Sequence, residues 1–260
     1  MAFAARELLP GVFHIEDALG VCFTLLVGGK SALLVDAGYG LEDVRAFVRT
    51  LTALPLTLWL THGHHDHALG ARWFERVRLH PDDAEVYRTY TGRPWREHVL
   101  ASARAAGIAV DEAAYLATPM PRGEAVSGET LDLGGLTAEI RSCPGHTPGS
   151  VVVRVPERDL LLTGDDWNPT TWLFFPEALP VRRYRENLRG LLALPFERVV
   201  CPHRTGVCPR ATLEAFAAGL TDEALGAAPV VDAGRRMGVD TRELAPSEGQ
   251  TLVFDAGKFA

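Results

Sequence analysis

Long apolar runs are missing from this chain. No stretch reaches about eighteen consecutive apolar residues, so no membrane-spanning helix is expected. Cysteine is scarce as well. The four present, Cys22, Cys143, Cys201 and Cys208, form no C-x-x-C pair, and they read as reduced, mostly buried thiols of a cytoplasmic protein. Positive charge is also in short supply: 26 Lys and Arg against 33 Asp and Glu leave a net charge of −7, with no basic run. That balance argues against a nucleic-acid groove. Met1 to Pro10 carry Arg6 and Glu7 and no long apolar core, so they are not read as a signal peptide. The expected partner is therefore a small-molecule substrate, with neither nucleic acid nor membrane. A homodimer is left open.

What the chain does have is histidine in a particular place. His62-Gly63-His64-His65-Asp66-His67 has H-x-H-x-D-H spacing and follows the apolar run Leu56 to Leu60, which reads as a buried strand. Alternate residues of a tight loop leaving that strand can aim His62 and His64 at one point and leave Asp66 and His67 to face a second. The alternative, a solvated turn rich in histidine, accounts for the spacing less well. Further pieces match. Ser142 to Ser150 is a turn-rich segment holding His146, between strand-like Leu136–Ile140 and Val151–Val155. Leu160 to Leu162 is a strand that runs into Thr163-Gly164-Asp165, and Arg198 to His203 another that ends in histidine. Strand ends that deliver imidazoles and carboxylates to one edge are how an α/β scaffold builds a site.

The remaining organisation shows no low-complexity linker. Val12–Ile15, Cys22–Val27 and Ala32–Val35 read as opening strands. Helices are expected over 41–51, 68–76, from Pro81 onward, 181–194 and 209–220, and a closing strand over Thr251–Phe254. With 47% hydrophobic residues, positions 1–260 can bury one core as a single domain. The stretch 91–123 exceeds what such a core needs and reads as a helical insertion, either a lid over the site or a surface elaboration.

The succession of H-x-H-x-D-H, a lone histidine in P-G-H-T-P-G, an aspartate in T-G-D and a late histidine resembles the metallo-β-lactamase-fold hydrolases. The resemblance runs from about Gly11 to about His203, with motifs most like those of glyoxalase II-like thioesterases. It implies an α/β fold, a four-layered αβ/βα sandwich of two mixed β-sheets flanked by helices. It also implies a pair of divalent metal ions. His62, His64 and His146 would hold one; Asp66, His67 and His203 the other; Asp165 would bridge them. Asp36 matches the family's early strand-end aspartate, which supports the ligand loop, although a simple turn former would look the same. A donor set of imidazole and carboxylate suits zinc, and also iron or manganese. Cys143 and Cys201, near two of these positions, read as buried hydrophobes rather than thiolate ligands. Asp166 could compete with Asp165, but the T-G-D register favours Asp165.

Such a site implies hydrolysis by a metal-held hydroxide, with Asp66 also orienting it and passing on its proton. A thioester, ester or lactone is the expected substrate. A β-lactam hydrolase is disfavoured because a bridging aspartate is not expected in that branch, and a phosphodiesterase by the acidic surface. Acyl-glutathione thioesterases grip substrate with basic residues of a C-terminal domain; here Arg204, Arg210, Arg235 and Arg236 are the candidates, with surface charge the simpler reading. Trp167, Trp172, Phe174 and Phe175 crowd after Asp165 and could wall an apolar pocket or be ordinary core. His65 faces either substrate or a packing neighbour, and His14, His80 and His98 receive no role. A persulfide dioxygenase remains the alternative, with one iron on His62, His146 and Asp165 and the other ligands idle. A metal-binding module without turnover is the last reading.

Overall fold

The computed structural model describes residues 3–259. Met1, Ala2 and Ala260 lie outside the described residues, as does the side chain of Arg236. A first sheet of seven strands follows chain order. Strands β1 (Ala4–Leu9), β2 (Val12–Glu16), β3 (Cys22–Val27) and β4 (Ala32–Val35) form an antiparallel meander. Parallel strands β5 (Leu56–Trp59), β6 (Val77–Leu79) and β7 (Gly123–Ala125) extend it. The crossover from β4 to β5 runs through helix α1 (Val44–Leu51), which starts at Val44 because the Asp43 side chain caps Ala46 N at 2.8 Å.

The second sheet contains β8 (Glu129–Asp132), β9 (Thr137–Ser142), β10 (Val151–Val155), β11 (Leu160–Leu162), β13 (Arg198–Val200) and β14 (Cys208–Pro209). Period-2 alternation sets which face each residue joins. Val151, Val153 and Val155 meet Leu33, Val35 and Trp59 of the first sheet in the inter-sheet core. Val152 turns the other way, onto α6 (Val181–Leu192) and α7 (Arg210–Gly219). Leu34 likewise turns outward onto Val44 and Val48 of α1. The layers are thus helix, sheet, sheet, helix, as expected.

A third sheet adds to that expectation. Strand β12 (Thr170–Leu173) pairs in parallel with β17 (Gln250–Asp255), followed by β16 (Thr241–Ser247) and β15 (Val230–Val231). Leu173, Leu252 and Phe254 seat it against the α6–α7 core. Only β17 stood out in the sequence; the others are short or mixed in polarity. Within 91–123 lie α4 (Arg93–Ala105) and α5 (Glu112–Ala117), and α8 (Asp222–Ala227) follows α7. Buried Arg96 ties α4 to α5, donating to the carbonyls of Thr91, Tyr115 and Thr118 at 3.0, 3.0 and 2.6 Å. Among the described residues, no helix is long and apolar enough to cross a membrane.

Candidate metal centre

The loops leaving β4, β5, β11 and β13, with the β9–β10 connection, meet at one edge of the two main sheets. Asp36 ends β4 in a left-handed conformation, φ 66°. It accepts from Thr61 N at 2.7 Å, Thr61 Oγ1 at 2.8 Å and His67 Nδ1 at 3.0 Å. The strand-end aspartate therefore fixes the start and the end of the histidine loop, rather than merely forming a turn. Helix α2 (His65–Ala68) begins inside the motif, earlier than the apolar spacing suggested, and carries Asp66 and His67 on its first turn. A 3₁₀ turn over Leu69–Trp73 completes the helical stretch expected after it.

Buried Asp83 clamps the two histidine loops together. Its carboxylate accepts from Gly63 N at 2.6 Å and from Gly149 N at 2.9 Å. Both glycines are required: a Cβ on Gly63 would stand 2.3 Å from Tyr87 N, and one on Gly149 2.5 Å from Asp83 N. Gly164 (φ 52°) lets the β11 exit turn press on Thr61, where a Cβ would meet the side chain at 2.8 Å.

Four histidines have their outer nitrogens committed. His62 Nδ1 donates to Thr61 Oγ1 at 3.0 Å, since that hydroxyl gives its own proton to Asp36. His64 Nε2 donates to Glu177 Oε1 at 2.6 Å, and His146 Nδ1 to the Trp172 carbonyl at 2.7 Å. His67 Nδ1 donates to Asp36. These partners assign the tautomers. Each opposite nitrogen then carries a lone pair directed inward. His62 Nε2, His67 Nε2 and Asp165 Oδ1 are buried without a hydrogen-bond partner. His146 Nε2 and His64 Nδ1 face each other at 2.8 Å, two acceptors with no proton between them. Converging buried acceptors of this kind are costly unless a cation satisfies them. The residues fit divalent metal ions.

Ligand atoms fall into two groups, His62, His64 and His146 in one and Asp66, His67, Asp165 and His203 in the other, each gathered within 4.8 Å. Asp165 lies between them. Its Oδ2 is 3.7 Å from His146 Nε2, and its Oδ1 is 3.5 Å from His67 Nε2 and 3.2 Å from His203 Nε2. Burial pushes His62 well below its usual value and His146 down to about 4, which keeps both neutral. Burial alone would raise the Asp165 carboxyl, but the His203 and His67 rings beside it outweigh this and hold it well below the carboxylate range. The adjacent Asp166 behaves oppositely. Burial pushes it well above that range, and it accepts from His146 N at 3.1 Å without joining either group of ligand atoms. All four cysteines are free and buried, and burial raises the Cys143 and Cys201 thiols, which opposes a thiolate role.

The aromatic run after Asp165 divides. Trp167 is core, fully buried with Nε1 bonded to Gln250 at 2.8 Å, and Phe174 is buried in the same core. Phe175 packs on His64 with ring centroids 4.8 Å apart, and Trp172 stands 43% exposed beside it. Tyr90 and Trp95, which sequence reasoning passed over, complete the wall. Tyr90 lies 4.3 Å from His64, and Trp95 lies 4.6 Å from both Tyr90 and His65. His65 is thus a packing partner of that wall. His14 is also better placed than expected: it bonds Thr24 Oγ1 and the Arg204 carbonyl, each at 3.0 Å, and so anchors the residue after His203. Thr61, Asp83 and Glu177 were likewise missed. Thr61 works through the Asp36 carboxylate and the adjacent His62 ring, Asp83 through two backbone amides and Glu177 through a distant ring, none of which leaves a sequence signal.

A profile of the metallo-beta-lactamase superfamily matches residues 18–203. Acyl-coenzyme A thioesterase MBLAC2 of Gallus gallus is 27% identical over 196 residues, 66% of this chain and 69% of its own length. A Bacillus subtilis protein described as a probable metallo-hydrolase, YqgX, is 30% identical over 141 residues, 54% of this chain and 63% of its own. Among solved structures, the di-iron-bound form of TTHA1623 is 29% identical, with a TM-score of 0.53 over 76% of this chain and 93% of that one. A metallo-beta-lactamase from Pontibacter korlensis shares the fold at 16% identity, with a TM-score of 0.59 over 82% and 95%. The chain belongs to the metallo-β-lactamase superfamily, whose fold implies divalent metal ions, and is a hydrolase.

Proposed function

We propose that the chain hydrolyses a small thioester, with esters and lactones as secondary substrates, at a dinuclear metal site. The convergence of two separate groups of inward lone pairs carries this reading. His62, His64 and His146 would hold one ion and Asp66, His67 and His203 the other, with Asp165 reaching both. Zinc is the first expectation; the di-iron relative makes iron its competitor. When bound, two such ions supply the Lewis acidity that activates water and polarises a carbonyl.

The chain's own residues do the rest. Asp66 Oδ2 lies 3.5 Å from His67 Nε2 and 3.6 Å from His203 Nε2, at the rim where an attacking water would be oriented and its proton received. Asp36, Thr61, Glu177 and the Trp172 carbonyl hold the imidazoles in the lone-pair-inward tautomer. Tyr90, Trp95, Phe175 and Trp172 offer an apolar wall for an acyl group and exclude water from that side. The helical stretch 91–123, braced by Arg96, forms part of that wall, within a domain we read as spanning 1–260. Four free buried cysteines support a cytoplasmic setting.

The thioesterase reading draws on the acyl-coenzyme A thioesterase relative. The test is thiol release from a panel of acyl-coenzyme A and simpler thioesters, alongside lactones, before and after chelation. Thiol release that stops on chelation and returns with added zinc or iron is the expected result. No release from any thioester, or release untouched by chelation, overturns the proposal.

A further inference from the structure

We infer that the third sheet and the tail beyond it position two of the three ligands in one half of the metal centre, His64 and His146, through Glu177 and Lys258. The inference rests on the dinuclear reading above. The imidazoles are supported from different places. His67 of the second group is held by Asp36 at the end of β4, and His62 of the first group by its neighbour Thr61. By contrast, His64 and His146 are both held by a single short segment: the Trp172 carbonyl takes the His146 Nδ1 proton, and Glu177 takes the His64 Nε2 proton.

That segment depends on the C-terminal residues. Trp172 lies on β12, the edge strand of the third sheet, whose only strand partner among the described residues is β17, in the register Thr170↔Thr251 to Leu173↔Phe254. After β12 the chain passes through Phe175, Pro176 and Glu177 without regular structure. Lys258, just past β17, fastens it. Its Nζ donates to the carbonyls of Phe175, Pro176 and Ala178 at 3.1, 2.6 and 2.8 Å. An ammonium has three protons, and all three are used, on both sides of Glu177. Lys258 and Lys30 are the whole of the chain's lysine, and this one is a fastener rather than a solvated surface charge. Asp255 sets the turn that aims it, accepting from Gly257 N at 2.8 Å. Tyr90 also bonds the Glu177 carboxylate. The superfamily match ends at residue 203, so β15–β17 and Lys258 lie outside it.

Glu177 and Lys258 are accordingly positioning residues, and their effect should be confined to one half-site. The full-length chain is prepared in two backgrounds: His203→Ala, which retains the His62–His64–His146 half, and His146→Ala, which retains the other. Cobalt(II) affinity is read by competition with a chromophoric chelator. Glu177→Ala and Lys258→Met should each weaken binding about 10-fold or more in the His203→Ala protein, the usual effect of losing a ligand's outer partner. Neither should change binding in the His146→Ala protein, and Lys258→Arg, which can still donate to carbonyls, should restore it. Unchanged affinity in the first background, or equal weakening in both, overturns the inference. If the His203→Ala and His146→Ala proteins do not each retain an ion, the dinuclear reading fails first and takes the inference with it. Should Lys258→Met unfold, Glu177→Ala, which leaves the three Lys258 contacts in place, still tests the hold on His64.

Discussion

Replacing Asp83 by alanine tests how the two histidine loops are kept together. The carboxylate is fully buried and satisfies two buried amides, Gly63 N at 2.6 Å and Gly149 N at 2.9 Å. Both loops are closely packed here, since a Cβ on Gly63 would stand 2.3 Å from Tyr87 N and one on Gly149 2.5 Å from Asp83 N. Each orphaned amide costs about 1–3 kcal/mol. Relief of the carboxylate's own burial, together with one water entering the vacated space, offsets part of this and leaves a net loss of roughly 3 kcal/mol. For a chain of this size that lowers the melting temperature by about 6–12 °C. The assay is calorimetric unfolding with excess chelator, so that metal affinity does not enter. Burial outweighs the amide donors and raises the Asp83 carboxyl above its usual value. The folded state thus holds that proton more tightly than the unfolded chain, and wild-type stability falls relative to Asp83→Ala as pH rises from about 4. The melting gap is therefore widest in acid and narrows toward neutrality. A variant that melts within about 1 °C of wild type across that range would refute the clamp.

Three further outcomes follow from the same geometry. Asp36→Asn exchanges an acceptor shared by Thr61 Oγ1 and His67 Nδ1 for an amide, and should weaken binding of the ion at His67 by about 10–100-fold in chelator competition. Gly63→Ala drives a Cβ to 2.3 Å from Tyr87 N, a backbone neighbour that cannot rotate away, and should destabilise the fold by about 1–3 kcal/mol or more in denaturant unfolding. In thiol-release kinetics Asp66→Ala should abolish turnover, whereas His14→Ala, which loses only an anchor on Arg204, should retain it; near-full rate in Asp66→Ala with both ions bound would contradict the assigned roles.

The seven candidate ligands were legible because their chemistry is written at short range. Imidazoles and carboxylates at fixed spacing after apolar runs imply loops at strand ends, and the structure gathers His62, His64, Asp66, His67, His146, Asp165 and His203 at one edge. The four layers were expected from the family resemblance, and the strands themselves were legible for a related reason: Ala32 to Val35 are apolar throughout, and Val151 to Val155 are apolar but for half-buried Arg154. What escaped is held by contacts without local pattern. Asp83 sits in an ordinary acidic helix start, yet its partners are 20 and 66 residues away. Glu177 reaches His64 across 113 residues. Strand β1 is largely exposed, so no apolar alternation marks it. The aromatic run misled in part, because Trp167 and Phe174 serve the core while Tyr90 and Trp95, far upstream, supply the wall.

The account stands or falls on two ions per chain. Elemental mass spectrometry of protein purified without chelator or added metal should find about two divalent ions, zinc or iron or a mixed pair. About one iron per chain, with oxygen consumed on addition of a persulfide, would contradict it: Asp66, His67 and His203 would then be idle, and the chemistry would be oxidation rather than hydrolysis.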